Sequence, residues 1–372
     1  MRNLIFILIL LWGSGALLQA QQDTAGFKKV RLVSGVQLDA AARDTLNPFE
    51  ELFEKEEPLR MTLVTDIRNL KRHRKKEEYQ PAGMSCLMHD SILVTHPVRI
   101  RARGNFRRDN CTVPPFFFNI RYAGMENHPL GDIRRVKTVV RCRPSRQYED
   151  YVLREYLAYK IYSLLTDYSF RVRLIELTTV DTGKRNKDKN TRTDWAFFIE
   201  PEELMAERLN GHEIESDRLS MQMVNRKKMD LMAMFQYMIG NGDYSVTGRH
   251  NLKIVSVANE DATGFVPVPY DFDYTGLVNA HYAVPGEGLP IKTVRERYFL
   301  GPCRSVERFR EIIDIFLDHE EEIATLIRDF EYLDEDEKND MINYLATFFL
   351  AVENDNFIER QIISTCRSYD NP

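Results

Sequence analysis

Residues 239–252, IGNGDYSVTGRHNL, and residues 268–276, VPYDFDYTG, frame the stretch around which this chain is organised. These two pieces contain four candidate oxygen ligands close together: Asp243, Asn251, Asp271 and Asp273. Carboxylate and amide oxygens are hard ligands of the kind that Mg²⁺ prefers, and a loop acid can orient a hydroxyl group. The pattern therefore predicts a metal site of the kind used in phosphoryl transfer. The alternative is that these side chains cap helices or stabilise turns, as most loop Asp and Asn residues do.

The chain begins with a predicted secretory signal peptide over residues 1–20. MRNLIFILILLWGSGALLQA has one cation at Arg2, an apolar run from Leu4 to Trp12 and a small residue at Ala20. This pattern is typical of a cleaved leader and is too short for a spanning helix. No later segment approaches about eighteen uncharged apolar residues. The sequence predicts an exported protein, periplasmic or extracellular, with no transmembrane segment after signal removal.

The composition indicates a globular chain with room for two lobes. Its 372 residues, 43% of them hydrophobic, exceed the roughly 250 residues beyond which a single core tends to divide. The 51 basic and 56 acidic residues give a net charge of -5. This balance gives no argument for nucleic acid or an anionic membrane as a partner.

The chain has five cysteines: Cys86, Cys111, Cys142, Cys303 and Cys366. In an oxidising compartment an odd number leaves at least one cysteine unpaired or paired between chains. Cys111 and Cys142 stand at the edges of β-like runs, and we predict a disulfide between them. The alternative is that both are small buried side chains. No CxxC spacing indicates a zinc site.

After the signal peptide, the sequence patterns divide the chain into three parts. Residues 21–58 are polar and acidic and are expected to form a loosely held arm. Residues 59–200 combine alternating, β-branched runs typical of strands with one long helical run, DYVLREYLAYKIYSLL. Residues 201–372 are predicted to be mainly helical. The expected fold class is α+β, with a β-rich N-terminal lobe and a mainly helical C-terminal lobe that carries the metal and catalytic loops.

The densest cationic turn of the chain is RARGNFRRDNC, residues 101–111. A glycine flanked by Asn and Arg lets backbone N–H groups and guanidinium groups approach a phosphate together. Arg103 and Arg107 are therefore candidate phosphate contacts. The alternative is a charged hairpin loop without a ligand.

Several of these pieces resemble the CotH-like proteins, the spore-coat-associated atypical protein kinases. RARGNF, LREYLAYKIY, FFIEP, IGNGDYSVTGRHNL and VPYDFDYTG occur in the order of that family, over roughly Arg99 to Arg297. The resemblance implies a bilobal protein-kinase-like fold, with an antiparallel sheet and one long helix in the first lobe. It also implies ATP with Mg²⁺ or Mn²⁺ between the lobes, and transfer of the γ-phosphate to a protein or glycan acceptor in the cell envelope.

Site roles follow from the resemblance by position. Asp243 corresponds to the acid that orients or deprotonates the acceptor hydroxyl. Asn251 and Asp271 correspond to metal ligands, and we include the neighbouring Asp273 with them. These roles suit a reaction in which the protein mainly positions the reactants and neutralises phosphate charge.

The nucleotide phosphates need cations from the N-terminal lobe. Lys137, on a predicted strand, is the candidate phosphate-pairing lysine, with Glu155 or Glu200 as its counter-ion. Arg154 is an alternative phosphate contact. The competing interpretation is that Lys137 is a solvent-facing charge on its strand.

The chain departs from ordinary protein kinases at several points. Asn251 follows Asp243 by eight positions, where protein kinases separate this acid and amide by about five. Asp273 stands where the DFG motif has glycine, no GxGxxG loop occurs, and Val113 precedes Pro114 where the spore-coat members usually have lysine. These departures concern nucleotide binding more than the metal site.

Two other hypotheses fit the same residues. Asp271-Phe272-Asp273 also matches the DxD metal motif of a glycosyltransferase, which predicts nucleotide-sugar specificity and a parallel α/β sheet. A non-catalytic binding protein of the cell envelope is the third hypothesis, and export favours it because ATP is scarce outside the cytoplasm. Incorporation of labelled γ-phosphate would discriminate among these hypotheses.

Overall fold

A computed structural model describes residues 29–32, 52–88, 92–119, 135–183, 190–214, 223–258 and 263–368. The predicted signal peptide and most of the predicted arm lie outside these described residues.

In the first half of the chain, pairs of consecutive strands are separated by single helices in the described residues. The strands are β1 (Lys29–Leu32), β2 (Leu59–Thr65), β3 (Gln80–Met88), β4 (Ile92–Ala102), β5 (Phe116–Asn119), β6 (Val136–Val140), β7 (Val172–Asp181), β8 (Thr191–Ile199), β9 (Gly211–Glu213), β10 (Leu252–Ala258) and β11 (Thr263–Pro269). The helices are α1 (Ile67–Arg72), α2 (Phe106–Asn110), α3 (Arg146–Leu165), α4 (Glu202–Arg208), α5 (Arg226–Met238), α6 (Val306–Asp318), α7 (Glu320–Arg328) and α8 (Glu335–Val352), followed by a π-helix, Ile358–Ile363.

Strands β2 to β8 close into a seven-stranded barrel. Their hydrogen-bonded order is β4-β3-β2-β7-β8-β6-β5, and β5 also pairs with the end of β4, which completes the ring. Strand β1 pairs with the first residues of β4 and is not part of the ring. The sheet is mixed because β2 and β7 run parallel, whereas the other pairs in the ring are antiparallel. A short second sheet, β11-β10-β9, lies outside the barrel.

The closed barrel overturns the bilobal protein-kinase-like fold with an antiparallel sheet in its first lobe. That prediction was wrong because alternation of apolar and polar residues identifies a strand without specifying its partner. The parallel β2–β7 pair and the closing β4–β5 pair decide the architecture, and neither leaves a local sequence signal. The long helix expected over DYVLREYLAYKIYSLL is present as α3.

The barrel wall separates two hydrophobic clusters. Alternate side chains of the strands point inward, so that Leu63, Ile100 and Phe198 are completely buried in the interior. Phe197, the neighbour of Phe198, points outward into the second and larger cluster. Helix α3 packs on this outer face against β6, β7 and β8, and thereby joins the barrel to the helical part of the molecule.

Two disulfides are present. The predicted bridge between Cys111 and Cys142 is confirmed, and it ties the end of α2 to the segment that follows β6. A second bridge joins Cys303 to Cys366, while the odd cysteine, Cys86, is buried and free. Structural disulfides form in oxidising compartments, which agrees with export. Within the ranges described, no helix has the length and apolar character needed to cross a bilayer.

Candidate functional site

Backbone hydrogen bonds hold the loop after α5 beside the loop after β11. Gly276 N donates to Gly240 O at 3.1 Å, and Tyr270 N donates to Asn251 O at 3.0 Å. The two loops that carry the polar residues of the motif are therefore neighbours in the fold. The β10–β11 hairpin between them supplies this geometry, since it returns the chain to its starting point.

Glycine allows this close approach at two positions. Gly240 has a φ of +68°, in the left-handed region that glycine adopts without a steric penalty. A β-carbon at Gly276 would collide with the Tyr344 hydroxyl and with the carbonyl oxygen of Val294. Helix α8 thus supports both loops, because its Tyr344 hydroxyl packs against Gly240 and Gly276.

Asp243 is held in place from both sides. Asn251 Nδ2 donates to Asp243 O at 2.7 Å and to Oδ2 at 2.9 Å, and Asp243 N donates to Asn241 Oδ1 at 2.8 Å. The His250 ring nitrogen Nε2 lies 3.0 Å from the second carboxylate oxygen, Oδ1. The Asp243 side chain remains 36% exposed, so a carboxylate with a fixed direction is open to a ligand.

Asp271 combines backbone strain with an unpaired carboxylate. Its φ is 66°, an uncommon value for a residue with a β-carbon, and Asp271 N donates to the Tyr159 hydroxyl at 2.8 Å. The Asp271 carboxylate makes no hydrogen bond or ion pair with another described residue. Asn251 also has a left-handed φ, 55°. Strain of this kind is found most often at functional sites.

Asp273 points away from solvent. It is 5% exposed, accepts a hydrogen bond from the Tyr282 hydroxyl at 3.0 Å and lies 3.8 Å from Arg107 Nη1. Burial, followed by the charge of Asp271, raises the pKa of Asp273 to about 6, although Arg107 opposes the shift. Asp243, Asp271 and Asp273 thus share one electrostatic environment, because the charges of Asp271 and Asp243 both raise the pKa of Asp273.

Arg107 lies between two buried acids. Its Nη2 donates to Val140 O at 2.6 Å, and its Nη1 lies 3.5 Å from Glu155 Oε2. Glu155 is 1% exposed, and its burial, reinforced by the charge of Asp273, raises its pKa well above the ordinary value. Arg107 therefore attaches the cationic turn to α3 and to the loop after β11.

Lys137 on β6 is paired with Glu202 at the start of α4, at 2.9 Å. Its ammonium group also lies 4.1 Å from the ring centre of Tyr270, the residue before Asp271. Burial lowers the pKa of Lys137. Burial alone would raise the pKa of Glu202, but Lys137 and then Lys253 outweigh it and hold that pKa at about 2. The Glu202 carboxylate thus forms ion pairs with both Lys137 and Lys253 beside the loop of Asp271.

Arg103 completes the cationic side of the site. Its backbone N donates to Pro115 O at 2.8 Å, and its buried Nε has no hydrogen-bond partner among the described residues. The charge of Arg103 lowers the pKa of both Glu155 and Tyr270, although burial is the larger influence and raises each. An unsatisfied guanidinium nitrogen and the unpaired Asp271 carboxylate therefore occupy the same polar region.

Glu200 and Arg154 are engaged elsewhere. Glu200 accepts hydrogen bonds from Arg208 at 3.0 and 2.8 Å. Arg154 is buried on α3 and binds Glu337 at 2.8 Å as well as Asp340. These contacts join α3 to α8 and stabilise the strand end at Glu200. Glu200 therefore pairs with Arg208 and is not the counter-ion of Lys137, and Arg154 is not available to a phosphate.

The donor set fits a metal ion that is shared with phosphate oxygens. No group of three or more His, Cys, Asp or Glu side chains in the described ranges is arranged to hold a metal ion alone. Mg²⁺ bound with a nucleotide usually takes only one or two carboxylates, together with phosphates and water. Asp271 has the free carboxylate for this role, and Asn251 Oδ1 has no hydrogen bond to a described residue. Asp273 is less suitable, because Tyr282 and Arg107 already bind it.

Sequence reasoning missed three residues of this site: Tyr159, Glu202 and His250. Tyr159 follows Glu155 by four positions on α3, a spacing that places both on one helix face. His250 directly precedes Asn251, and Glu202 directly follows the proline that starts α4. Only the first of these carries a periodic signal that could have been recognised.

No protein-family model matches the chain, and no curated protein matches it either.

Proposed function

We propose that this protein is an exported phosphotransferase that moves the γ-phosphoryl group of ATP, bound with Mg²⁺ or Mn²⁺, to a hydroxyl group of a protein or glycan acceptor. The observation that carries the proposal is the meeting of Asp243, Asn251 and the unpaired Asp271 beside the cations Lys137 and Arg103. The resemblance to CotH-like proteins supports the same reaction. Because chemistry belongs to the site, a barrel in place of a kinase-like fold does not argue against it.

Each residue has a role that its surroundings allow. Asp243, oriented by Asn251 and His250, would accept the proton of the attacking hydroxyl. Arg103 and Lys137 would bind phosphate oxygens and hold them in line with the hydroxyl. Asp271 and Asn251 would hold the divalent ion, whose contribution when bound is to neutralise charge on the phosphate oxygens.

The predicted leader and the disulfides support an exported location. A cleavable leader over residues 1–20 would direct the chain out of the cytoplasm, and the bridges Cys111–Cys142 and Cys303–Cys366 would form there. The acceptor is then a protein or glycan of the cell envelope, in the periplasm or at the cell surface.

The direct test is transfer of label from γ-labelled ATP by the purified protein, with Mg²⁺ or Mn²⁺, to itself and to cell-envelope proteins and glycans. We expect transfer by the wild type and a loss of at least about 10²-fold in Asp243→Asn and in Asp271→Asn. Asp314→Asn, which neutralises an exposed acid on α6, is the matched control and should transfer normally.

Two results would overturn the proposal. One is absence of transfer by wild-type protein that melts cooperatively and is therefore folded. The other is transfer that survives in both Asp243→Asn and Asp271→Asn. Thermal stabilisation by nucleotide-sugars, without any by ATP, would favour the glycosyltransferase hypothesis instead.

A further inference from the structure

A charged cavity lies at the other end of α5 from Asp243. It is open to solvent and has a volume of about 680 Å³, and its lining includes Arg226, Lys227, Asp230, Arg304, Ser305 and Arg308. Helix α5 has 13 residues, which at about 1.5 Å per residue separates its two ends by roughly 20 Å. The cavity is therefore distinct from the candidate site described above.

A buried carboxylate orients two of the cations. Asp230 is 3% exposed and accepts hydrogen bonds from Arg304 Nε at 2.8 Å and Arg308 Nε at 3.1 Å. Arg304 Nη1 donates to Cys303 O, and Arg308 Nη1 donates to the exposed Glu311. The Nη2 group of each arginine makes no hydrogen bond to a described residue. Two guanidinium groups are thus held in fixed directions with donors to spare.

The other two cations stand where they weaken their own helix. The first turn of α5 contains Arg226, Lys227 and Lys228 and no acidic residue. The start of a helix carries partial positive charge, so cations there are unfavourable. Lys228 lies over the Tyr168 ring, but Arg226 and Lys227 are exposed and form no ion pair within the described residues. An anion in the cavity would relieve this repulsion.

The wall of the cavity is rigid and polar. Cys303 is bridged to Cys366, and Ser305 caps α6 by accepting a hydrogen bond from Arg308 N at 3.3 Å. The starts of α5 and α6 therefore both border the cavity. Backbone N–H groups at helix starts favour anions, and here they reinforce the four cationic side chains.

We propose that this cavity binds a ligand that carries two or more phosphate groups. Four cations face the buried Asp230 and the exposed Glu311, which leaves a positive excess. One guanidinium group can donate two parallel hydrogen bonds to one phosphate group. The volume of the cavity lies within the range of small-molecule sites. The ligand is recognised by charge, whether its phosphates belong to a soluble molecule or to a lipid headgroup.

The test is binding of inorganic pyrophosphate to the full-length mature chain, measured by calorimetry with EDTA present to remove divalent ions. We expect Arg226→Ala/Lys227→Ala to weaken binding by about tenfold or more. The matched control is Lys71→Ala/Arg72→Ala, which removes two exposed cations at the end of α1 and should change affinity by less than about twofold. All four side chains are exposed, so both double variants should fold, and Arg226→Ala/Lys227→Ala should melt no lower than wild type because it removes cations from the start of α5.

Three results would overturn the proposal: wild-type protein that does not bind pyrophosphate, equal losses in the two double variants, or binding that is abolished by Lys137→Ala and unchanged in Arg226→Ala/Lys227→Ala.

A second experiment, with lipid vesicles, distinguishes the source of the phosphates. Cosedimentation with cardiolipin vesicles, lost in Arg226→Ala/Lys227→Ala, indicates a lipid headgroup. Pyrophosphate binding without cosedimentation indicates a soluble ligand.

Discussion

Asp271 and Asn251 both adopt an uncommon backbone conformation at the candidate site. Both have left-handed φ values, and for a residue with a β-carbon that conformation costs on the order of 1 kcal/mol or more. Contacts from elsewhere in the fold maintain them, including the Tyr159 hydroxyl beneath Asp271 N. Four other described non-glycine residues also have positive φ values, so the free oxygen ligands of Asp271 and Asn251, more than the strain, support a functional role for both.

His250 offers a test of how Asp243 is oriented. Replacing it by alanine removes the contact at Asp243 Oδ1 while the contact from Asn251 remains, so we expect phosphoryl transfer to fall by about tenfold. His250→Gln restores an N–H donor and should recover part of the loss. The measurement is the initial rate of label transfer at saturating ATP. Wild-type rates in both variants would show that His250 does not act on Asp243.

The buried carboxylate of Asp273 should make stability depend on pH. Its pKa in the folded protein is about 6, above the ordinary value of 3.8, so the folded state binds this proton more tightly than the unfolded chain. The contribution of Asp273 to stability should therefore fall as pH rises from about 4 to about 6, and its loss should be complete above that window. We expect Asp273→Asn to gain about 1–3 kcal/mol relative to wild type between pH 4 and pH 7.

Denaturant unfolding of both proteins at several pH values measures this difference. Asp150, whose pKa burial also raises to about 6, is present in both proteins and cancels in the comparison. A free-energy difference between wild type and Asp273→Asn that is the same at pH 4 and pH 7 would contradict the expectation.

At the scale of elements, helix α3 carries residues that contact different parts of the molecule. Its Glu155 and Tyr159 lie near the polar loops, its Arg154 binds α8, and its apolar side chains pack on the barrel. The helix is buried on most sides, and so its sequence lacks the clean apolar stripe of a surface helix. The site is therefore built on a rigid element, although its acids lie on loops.

Helix α8 should control the spacing of the two polar loops. Alanine at Gly276 would force its methyl group against Tyr344 and the carbonyl oxygen of Val294, so we expect a loss of about 1–3 kcal/mol in the free energy of unfolding. Phosphoryl transfer should fall as well. Gly83→Ala is the control, because a methyl group there meets only Val64 at an ordinary 3.8 Å. Equal melting temperatures for the two variants would contradict this account.

At the scale of the whole molecule, the candidate site lies where the barrel meets the helical part. Lys137 comes from β6 and Arg103 follows β4, whereas Asp243 and Asp271 come from loops of the second half of the chain. A ligand held by both sets of residues would join the two halves. Binding should therefore stabilise the whole protein against unfolding.

We expect Mg²⁺ with ATP, at about a hundred times the dissociation constant, to raise the melting temperature by about 3 °C or more. Lys137→Ala should abolish the increase, because it removes a phosphate contact from the barrel side. Lys71→Ala, which removes an exposed cation of α1, should leave it intact. The readout is the shift for each protein with and without ligand, so that a change in intrinsic stability cancels. A full shift in Lys137→Ala would exclude that lysine from the site.

The sequence by itself determined what depends on local spacing: the long helix α3 and the two loops that carry Asp243, Asn251 and Asp271. It favoured the pairing of Cys111 with Cys142 without excluding two buried thiols. Only the tertiary structure decided that the strands close into a mixed barrel, that Glu202 is the partner of Lys137, and that Arg154 binds α8. The reason is physical. A repeat of two or four residues records which face of an element is buried, but strand partners and ion pairs join residues far apart in the chain, and many pairings satisfy the same local pattern.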